Sequence, residues 1–140
     1  MAERLRLGGW DEVGADAQRV RTAVFVLEQG IPIELEWDEQ DPVSLHAVAY
    51  VDGEPVATGR LLPDSHIGRM AVLAAHRRSG LGGRILQRLI EAARARGDRA
   101  VELNAQSYVC AFYARHGFEI CSEEFEEAGI PHRAMRLGLR

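Results

Sequence analysis

Lysine is absent from the 140 residues: all 17 basic side chains are arginine. A P-loop is thereby excluded, because G-x-x-x-x-G-K-[ST] needs its lysine to reach the phosphates. Cysteine is scarce. Cys110 and Cys121 form neither a disulfide framework nor a C-x-x-C motif, and two buried thiols in a reducing compartment are expected. No His-x-x-x-His or similar ligand spacing occurs, so no metal site is expected. No apolar run reaches transmembrane length, and "MAERLRLGGW" lacks the apolar stretch of a secretory leader. A cytoplasmic chain with no membrane contact is the expectation.

What is present suits a soluble globular protein. With 46% hydrophobic and 27% charged residues, a single domain over 1–140 can build a core without staples. A net charge of −4 argues against nucleic-acid coating as the main task. The charge is uneven: residues 1–70 hold 6 Arg against 13 acids, residues 71–140 hold 11 Arg against 8 acids.

The hydrophobic pattern alternates strands and helices. "RLRLGGW" reads as a short first strand, and Ala17, Val20, Ala23, Val24 and Leu27 predict a helix over 16–29 that stops at Gly30. "IPIELEWDEQDP" reads as an acidic loop or short helix. Two β-rich runs flank Asp52-Gly53, a strong hairpin signal, and "HIGRMAVLA" is a further strand. Leu81, Ile85, Leu89 and Ala93, with Leu86 and Ile90, give one apolar helix face that Gly97 ends. A strand "RAVELNA", a shorter helix "QSYVCAFYARHG" and two closing strands complete a mixed α/β (α+β) sheet. The strand–helix–strand from Ile67 to Leu103 predicts a right-handed parallel crossover.

The stretch "HRRSGLGGRIL" opens the second helix with three glycines after two arginines. Glycine lets backbone N–H groups approach a ligand closely, and a helix N-terminus favours an anion. A dinucleotide fingerprint G-x-G-x-x-G is a poor match, since Ile85 stands where its third glycine belongs. The better match is Arg-x-x-Gly-x-Gly, spelled Arg77-Arg78-Ser79-Gly80-Leu81-Gly82 and followed by Gly83.

On this motif, together with the hairpin before it and "FYARHGF" about 30 residues after it, the sequence resembles the GNAT superfamily of acyl-CoA-dependent N-acetyltransferases. "VFVLEQGIPIELEWDEQD" and "FEEAGIPHRAM" look like the bacterial ElaA/YjcF-like branch. The resemblance implies a mixed, mostly antiparallel sheet with a splayed parallel central strand pair flanked by helices. It also implies acetyl-CoA as cosubstrate, with no metal, and a primary amine of a small molecule or peptide as acceptor. By position, Met70, Ala71 and Val72 would meet the pantetheine arm, the Val72 N–H holding the thioester oxygen. Arg77, Arg78, Ser79, Gly80, Leu81, Gly82 and Gly83 would cradle the pyrophosphate, and Ser107 falls where many relatives carry a cofactor-contacting Asn. Asn104 is left to cap the following helix or to meet the cofactor. Tyr113 aligns with the usual general acid, a phenol that gives its proton to the departing thiolate.

The base stays open among Glu36, Asp38, His46 and His66, although His46 sits in an apolar strand, where a structural role is the plainer reading. For the acceptor, Glu36 and Asp38 lie in a loop of five acids that would attract a cationic amine, unless that loop is merely solvated. Arg60 and Arg69, if inward-facing, would bind an acceptor carboxylate. His132 faces the acceptor site or pins a turn. Two rivals remain: a non-catalytic acyl-CoA-binding regulatory module, and nucleic-acid binding through Arg77 to Arg99. Against the latter, the apolar stripe commits that helix to the core. Related folds pair through terminal strands, so a homodimer is open to this chain.

Overall fold

A computed structural model describes residues 2–139. Strand β1 (Glu3–Gly8) leads into helix α1 (Trp10–Arg21), which starts six residues before the predicted Asp16. Gly9 caps it, and the Glu12 carboxylate accepts the Gly9 N–H at 2.8 Å. The helix continues as a π-helical turn (Thr22–Glu28), closed where the Gln29 N–H reaches Val24 O at 3.0 Å, and Gly30 stops it at φ +76°. The acidic segment after it has only two 3-10 turns, Ile33–Leu35 and Asp41–Val43.

Strands β2 (Leu45–Val51) and β3 (Glu54–Leu61) form the expected hairpin, with Asp52 and Gly53 both at positive φ (51° and 85°), as a type I′ turn requires. Strand β4 (Ile67–Val72) completes an antiparallel sheet ordered β1-β2-β3-β4. Helix α2 (Leu81–Arg96) ends at Gly97, which takes the left-handed conformation. Strand β5 (Ala100–Gln106), helix α3 (Cys110–Ala114) and strands β6 (Glu119–Ile120), β7 (Phe125–Glu127) and β8 (Ile130–Gly138) follow. The second sheet runs β5-β8-β6, and β7 also pairs with β8.

Side-chain alternation decides which helix covers which face. Ala47, Ala49, Ala57 and Leu61 from the first sheet, and Val101, Leu103, Ala105 and Met135 from the second, share one core with the apolar stripe of α2. Between them, Val48 and Tyr50 meet Val13 and Ala17 of α1 on the opposite face. Val20, Val24 and Phe25 pack on Ala71 of β4.

The two sheets touch at one place. Strands β4 and β5 run parallel, as predicted, but share a single bridge, His66 to Glu102, where the Glu102 N–H donates to Ser65 O at 3.1 Å. Beyond it no ladder joins them, and the strands diverge. A β-bulge contributes. Between the pairs Thr58–Ala71 and Arg60–Gly68, β4 has one residue more than β3, and Arg69 stands at φ +50°. The bulge turns Met70 over Gly59, where a Cβ would come within 2.5 Å of the Met70 sulfur. Cys110 is buried as expected, whereas Cys121 is exposed because it follows the short outer strand β6. Among the described residues no helix is long and apolar enough to cross a membrane.

Candidate functional site

The gap between β4 and β5 opens into a cleft of about 1770 Å³. Its walls are Met70, Ala71 and Val72 on one side and Leu103 to Gln106 on the other, with the glycine loop at one end. The Leu73 N–H donates to Val56 O at 2.9 Å, across to β3. Successive N–H groups of a strand point opposite ways, so that of Val72 points away from β3, into the gap.

The glycine loop is shaped for an anion. Arg78 (φ +63°) and Gly80 (φ +85°) take left-handed conformations on either side of Ser79, and α2 starts at Leu81. Among the described residues no protein acceptor meets the backbone N–H of Leu81, Gly82 or Gly83, the free donors of the first turn. Side chains would fill this cradle: a Cβ on Gly83 would lie 3.2 Å from the His116 ring, and one on Gly80 2.8 Å from Arg84. These features fit a pyrophosphate.

The two arginines differ. Arg77 donates from Nε to Val72 O (2.9 Å) and from both terminal nitrogens to the Glu28 carboxylate (2.6 Å each), which holds that carboxyl below its usual range. Arg78 has no carboxylate within ion-pair distance among the described residues, and it lines the cleft. The Ser79 hydroxyl turns back to His76 O at 2.5 Å, and Ser107 turns to Glu124 at 3.3 Å; neither lines the cleft. Asn104 does line it.

Tyr113 reaches the cleft from α3, on the α2 face of the sheet, edge-on to Phe112 (5.0 Å) and Phe118 (5.9 Å). Burial pushes its hydroxyl pKa well up, which keeps the phenol protonated, as an acid must be.

The opposite side of the cleft differs from expectation. Glu36, Asp38, Arg60 and Arg69 are brought together, but they pair with one another and with two residues the sequence did not single out as a pair, Arg21 and Asp41. Arg21, 1% exposed, grips Asp41 with both terminal nitrogens (2.9 and 3.0 Å), ion-pairs through Nε with Glu36, and lies 5.4 Å over the Trp10 ring. Arg60 clamps Asp38 (2.7 and 3.0 Å) and shares Asp41 (2.8 Å). Arg69 donates to Glu36 O (2.9 Å), Leu35 O and Asp38 (both 3.3 Å). Three guanidinium groups thus meet three carboxylates, and the charges of Glu36, Asp38, Arg60 and Arg69 are engaged within the cluster. The Arg60 hydrogen bonds hold Asp38 down at about 2, so it is too weak a base to take an amine's proton near neutral pH. His46 donates from Nε2 to Asp41 O at 2.9 Å, and burial lowers its pKa; it belongs to this cluster, not to the cleft.

A different set faces the cleft from β5, β7 and β8. Asn104 donates to Glu127 (3.2 Å), and Gln106 donates to Gln29 (3.1 Å). Opposite Gln106, His132 bonds through Nδ1 to Ile130 O (2.7 Å), while its Nε2 stands 3.8 Å from Glu127. His66, at the joint of the two sheets, lies 3.1 Å from Asp64 and 3.6 Å from Glu102. Among the described residues no group of three or more His, Cys, Asp or Glu side chains could hold a metal ion.

Comparison with known proteins gives the same frame. Residues 14–139 match the family described as the acetyltransferase (GNAT) domain. The chain is 44% identical over 124 residues to YjcF of Bacillus subtilis, described as an uncharacterized N-acetyltransferase, covering 86% of this chain and 89% of that protein. An acyl-CoA N-acyltransferase from Pseudomonas aeruginosa superposes with a TM-score of 0.87 at 32% identity, covering 98% of this chain and 100% of the other. Escherichia coli ElaA superposes with a TM-score of 0.86 at 28% identity, covering 97% and 99%. With the diverging parallel strands and the anion cradle at the head of α2, these matches show that the chain belongs to the GNAT acetyltransferase family.

Proposed function

We propose that the protein transfers an acetyl group from acetyl-CoA directly to a primary amine of a small molecule or peptide. The observation that carries this reading is the convergence of three parts on one cleft: the cradle at Gly80 to Gly83, the Val72 N–H aimed into the gap, and the protonated phenol of Tyr113. The pyrophosphate rests on the N–H groups of Leu81, Gly82 and Gly83 beside Arg78, while Arg77 anchors the end of β4. The pantetheine arm lies along Met70, Ala71 and Val72 as an added strand. The Val72 N–H polarises the thioester carbonyl, and negative charge growing on that oxygen strengthens the bond. Tyr113 then protonates the departing thiolate.

The test is thiol release from acetyl-CoA in the presence of primary alkylamines and amine-bearing peptides. Amine-dependent release with a matching acetylated product supports the transferase. Saturable acetyl-CoA binding with no amine-dependent release replaces it with a non-catalytic acyl-CoA-binding module.

A further inference from the structure

An ammonium group cannot attack a thioester, so an alkylamine acceptor must first lose a proton. The four bases that the sequence left open do not supply this step. Glu36 is buried against Arg21, Asp38 is held at about 2 by Arg60, and His46 points into the arginine–carboxylate cluster. His66 sits at the joint of the sheets, where the strands have not yet parted.

We propose that His132 is the general base of the acetyl transfer, accepting the acceptor's proton at Nε2; this rests on the transferase reading above. A carbonyl oxygen only accepts, so the 2.7 Å contact with Ile130 O fixes the proton of His132 on Nδ1. In the neutral ring Nε2 then carries the lone pair and is the atom open to an incoming proton. The ring is held in place: Phe125 stacks on it (6.1 Å between centroids, 24° between planes), and the side chain is 8% exposed.

Its position suits the chemistry. His132 lies opposite Gln106, so the two side chains project from the same face of the second sheet. Leu103 and Ala105 project from the other face, into the core that contains Tyr113. Acid and base therefore flank the gap from opposite sides, and an amine entering on the His132 side meets a thioester whose sulfur faces Tyr113. The charged group nearest His132 is Glu127 of β7, 3.8 Å from Nε2. From β5 the neighbouring polar groups are uncharged, Gln106 and Asn104, and Asn104 holds Glu127 in place (3.2 Å). On its own strand the contact is the Ile130 carbonyl.

The acceptor R–NH3⁺ gives one proton to Nε2, leaving R–NH2 and an imidazolium. The amine lone pair forms the C–N bond at the thioester carbon, and the C–S bond breaks as the oxyanion collapses. Tyr113 gives its proton to sulfur, and the second proton lost by nitrogen replaces it through water. The imidazolium releases its proton to solvent, so the net products are the amide, the free thiol and one H⁺.

The test uses two small amines at pH 7.5 with acetyl-CoA, followed by thiol release. Methylamine arrives as an ammonium and needs a base, whereas hydroxylamine arrives neutral. The variant is His132→Asn, whose amide can still donate to Ile130 O but lacks the second ring nitrogen. We expect kcat/KM for methylamine to fall about 10²-fold or more, that for hydroxylamine to fall far less, and acetyl-CoA affinity to persist. Equal losses with both amines, or no loss with either, overturn the assignment. Nitrogen-15 NMR of the histidine rings in the unmutated protein gives an arm independent of the variant's folding. In its neutral form the His132 ring is expected to carry its proton on Nδ1, and the opposite tautomer overturns the assignment. If the unmutated protein binds acetyl-CoA but none of the alkylamines or amine-bearing peptides above elicits thiol release, the transferase reading fails and this assignment falls with it. If it turns methylamine over and His132→Asn does so equally well, only the base is wrong.

Discussion

Replacing Asp38 by Asn removes one negative charge from the cluster of three arginines and three carboxylates while nearly preserving shape. In the intact protein the carboxylate takes two hydrogen bonds from Arg60 (2.7 and 3.0 Å), one from Arg69 (3.3 Å) and one from the Gln40 N–H (3.0 Å). Those contacts hold its pKa at about 2, against the usual 3.8. At about 1.36 kcal/mol per pH unit the difference corresponds to about 2.4 kcal/mol. Solvent screening at a carboxylate that is 31% exposed reduces this to about 1–2 kcal/mol. The folded-state pKa is depressed, so the unfolded chain takes up the proton first as pH falls. The stabilisation is therefore complete above about pH 4 and is lost between about 4 and 2. Urea unfolding of both proteins at pH 7, 4 and 3 measures the gap, which is expected to be about 1–2 kcal/mol at pH 7 and to shrink steadily below pH 4. A gap that stays constant across this range, or no gap at pH 7, refutes the electrostatic account. The same substitution loosens Arg69, whose left-handed backbone forms the bulge of β4.

Two further substitutions separate the cradle from the chemistry. Tyr113→Phe keeps the aromatic packing and removes the acid; thiol release is expected to slow by about 10²-fold with acetyl-CoA binding retained, as calorimetry and thiol assay together read. Gly80→Ala forces a side chain into a left-handed position and against Arg84. Acetyl-CoA affinity is expected to fall at least tenfold, with stability lower by about 1 kcal/mol in urea.

Much of the frame can be read from the chain because it is set locally. The stripe from Leu81 to Ala93 and the stop at Gly97 define α2 to the residue, and Asp52-Gly53 sets the hairpin. Helix α1 begins earlier than its periodicity suggests: Trp10, Asp11 and Glu12 look polar or bulky, and Gly14 reads as a breaker. The structure uses Gly14 to let the Trp10 ring lie against the backbone, where a Cβ would come within 2.7 Å. The arginine–carboxylate cluster was not legible, because Arg21 and Asp41 are 20 residues apart and their pairing depends on the whole sheet. Without that pairing, Arg60 and Arg69 look available to a substrate. The bulge is hidden for a related reason: its left-handed residue is Arg69, not a glycine, and only long-range bonds hold it. His132 could be seen as a candidate, but its tautomer is set by Ile130 O and becomes visible only once β8 is folded.

Every step proposed above depends on coenzyme A binding at the head of α2 and in the β4–β5 gap. Isothermal titration of the purified protein with acetyl-CoA and, separately, with NADH tests it most directly. Saturable uptake of acetyl-CoA with no uptake of NADH is predicted. Well-folded protein that binds neither, or binds NADH in preference, contradicts the claim.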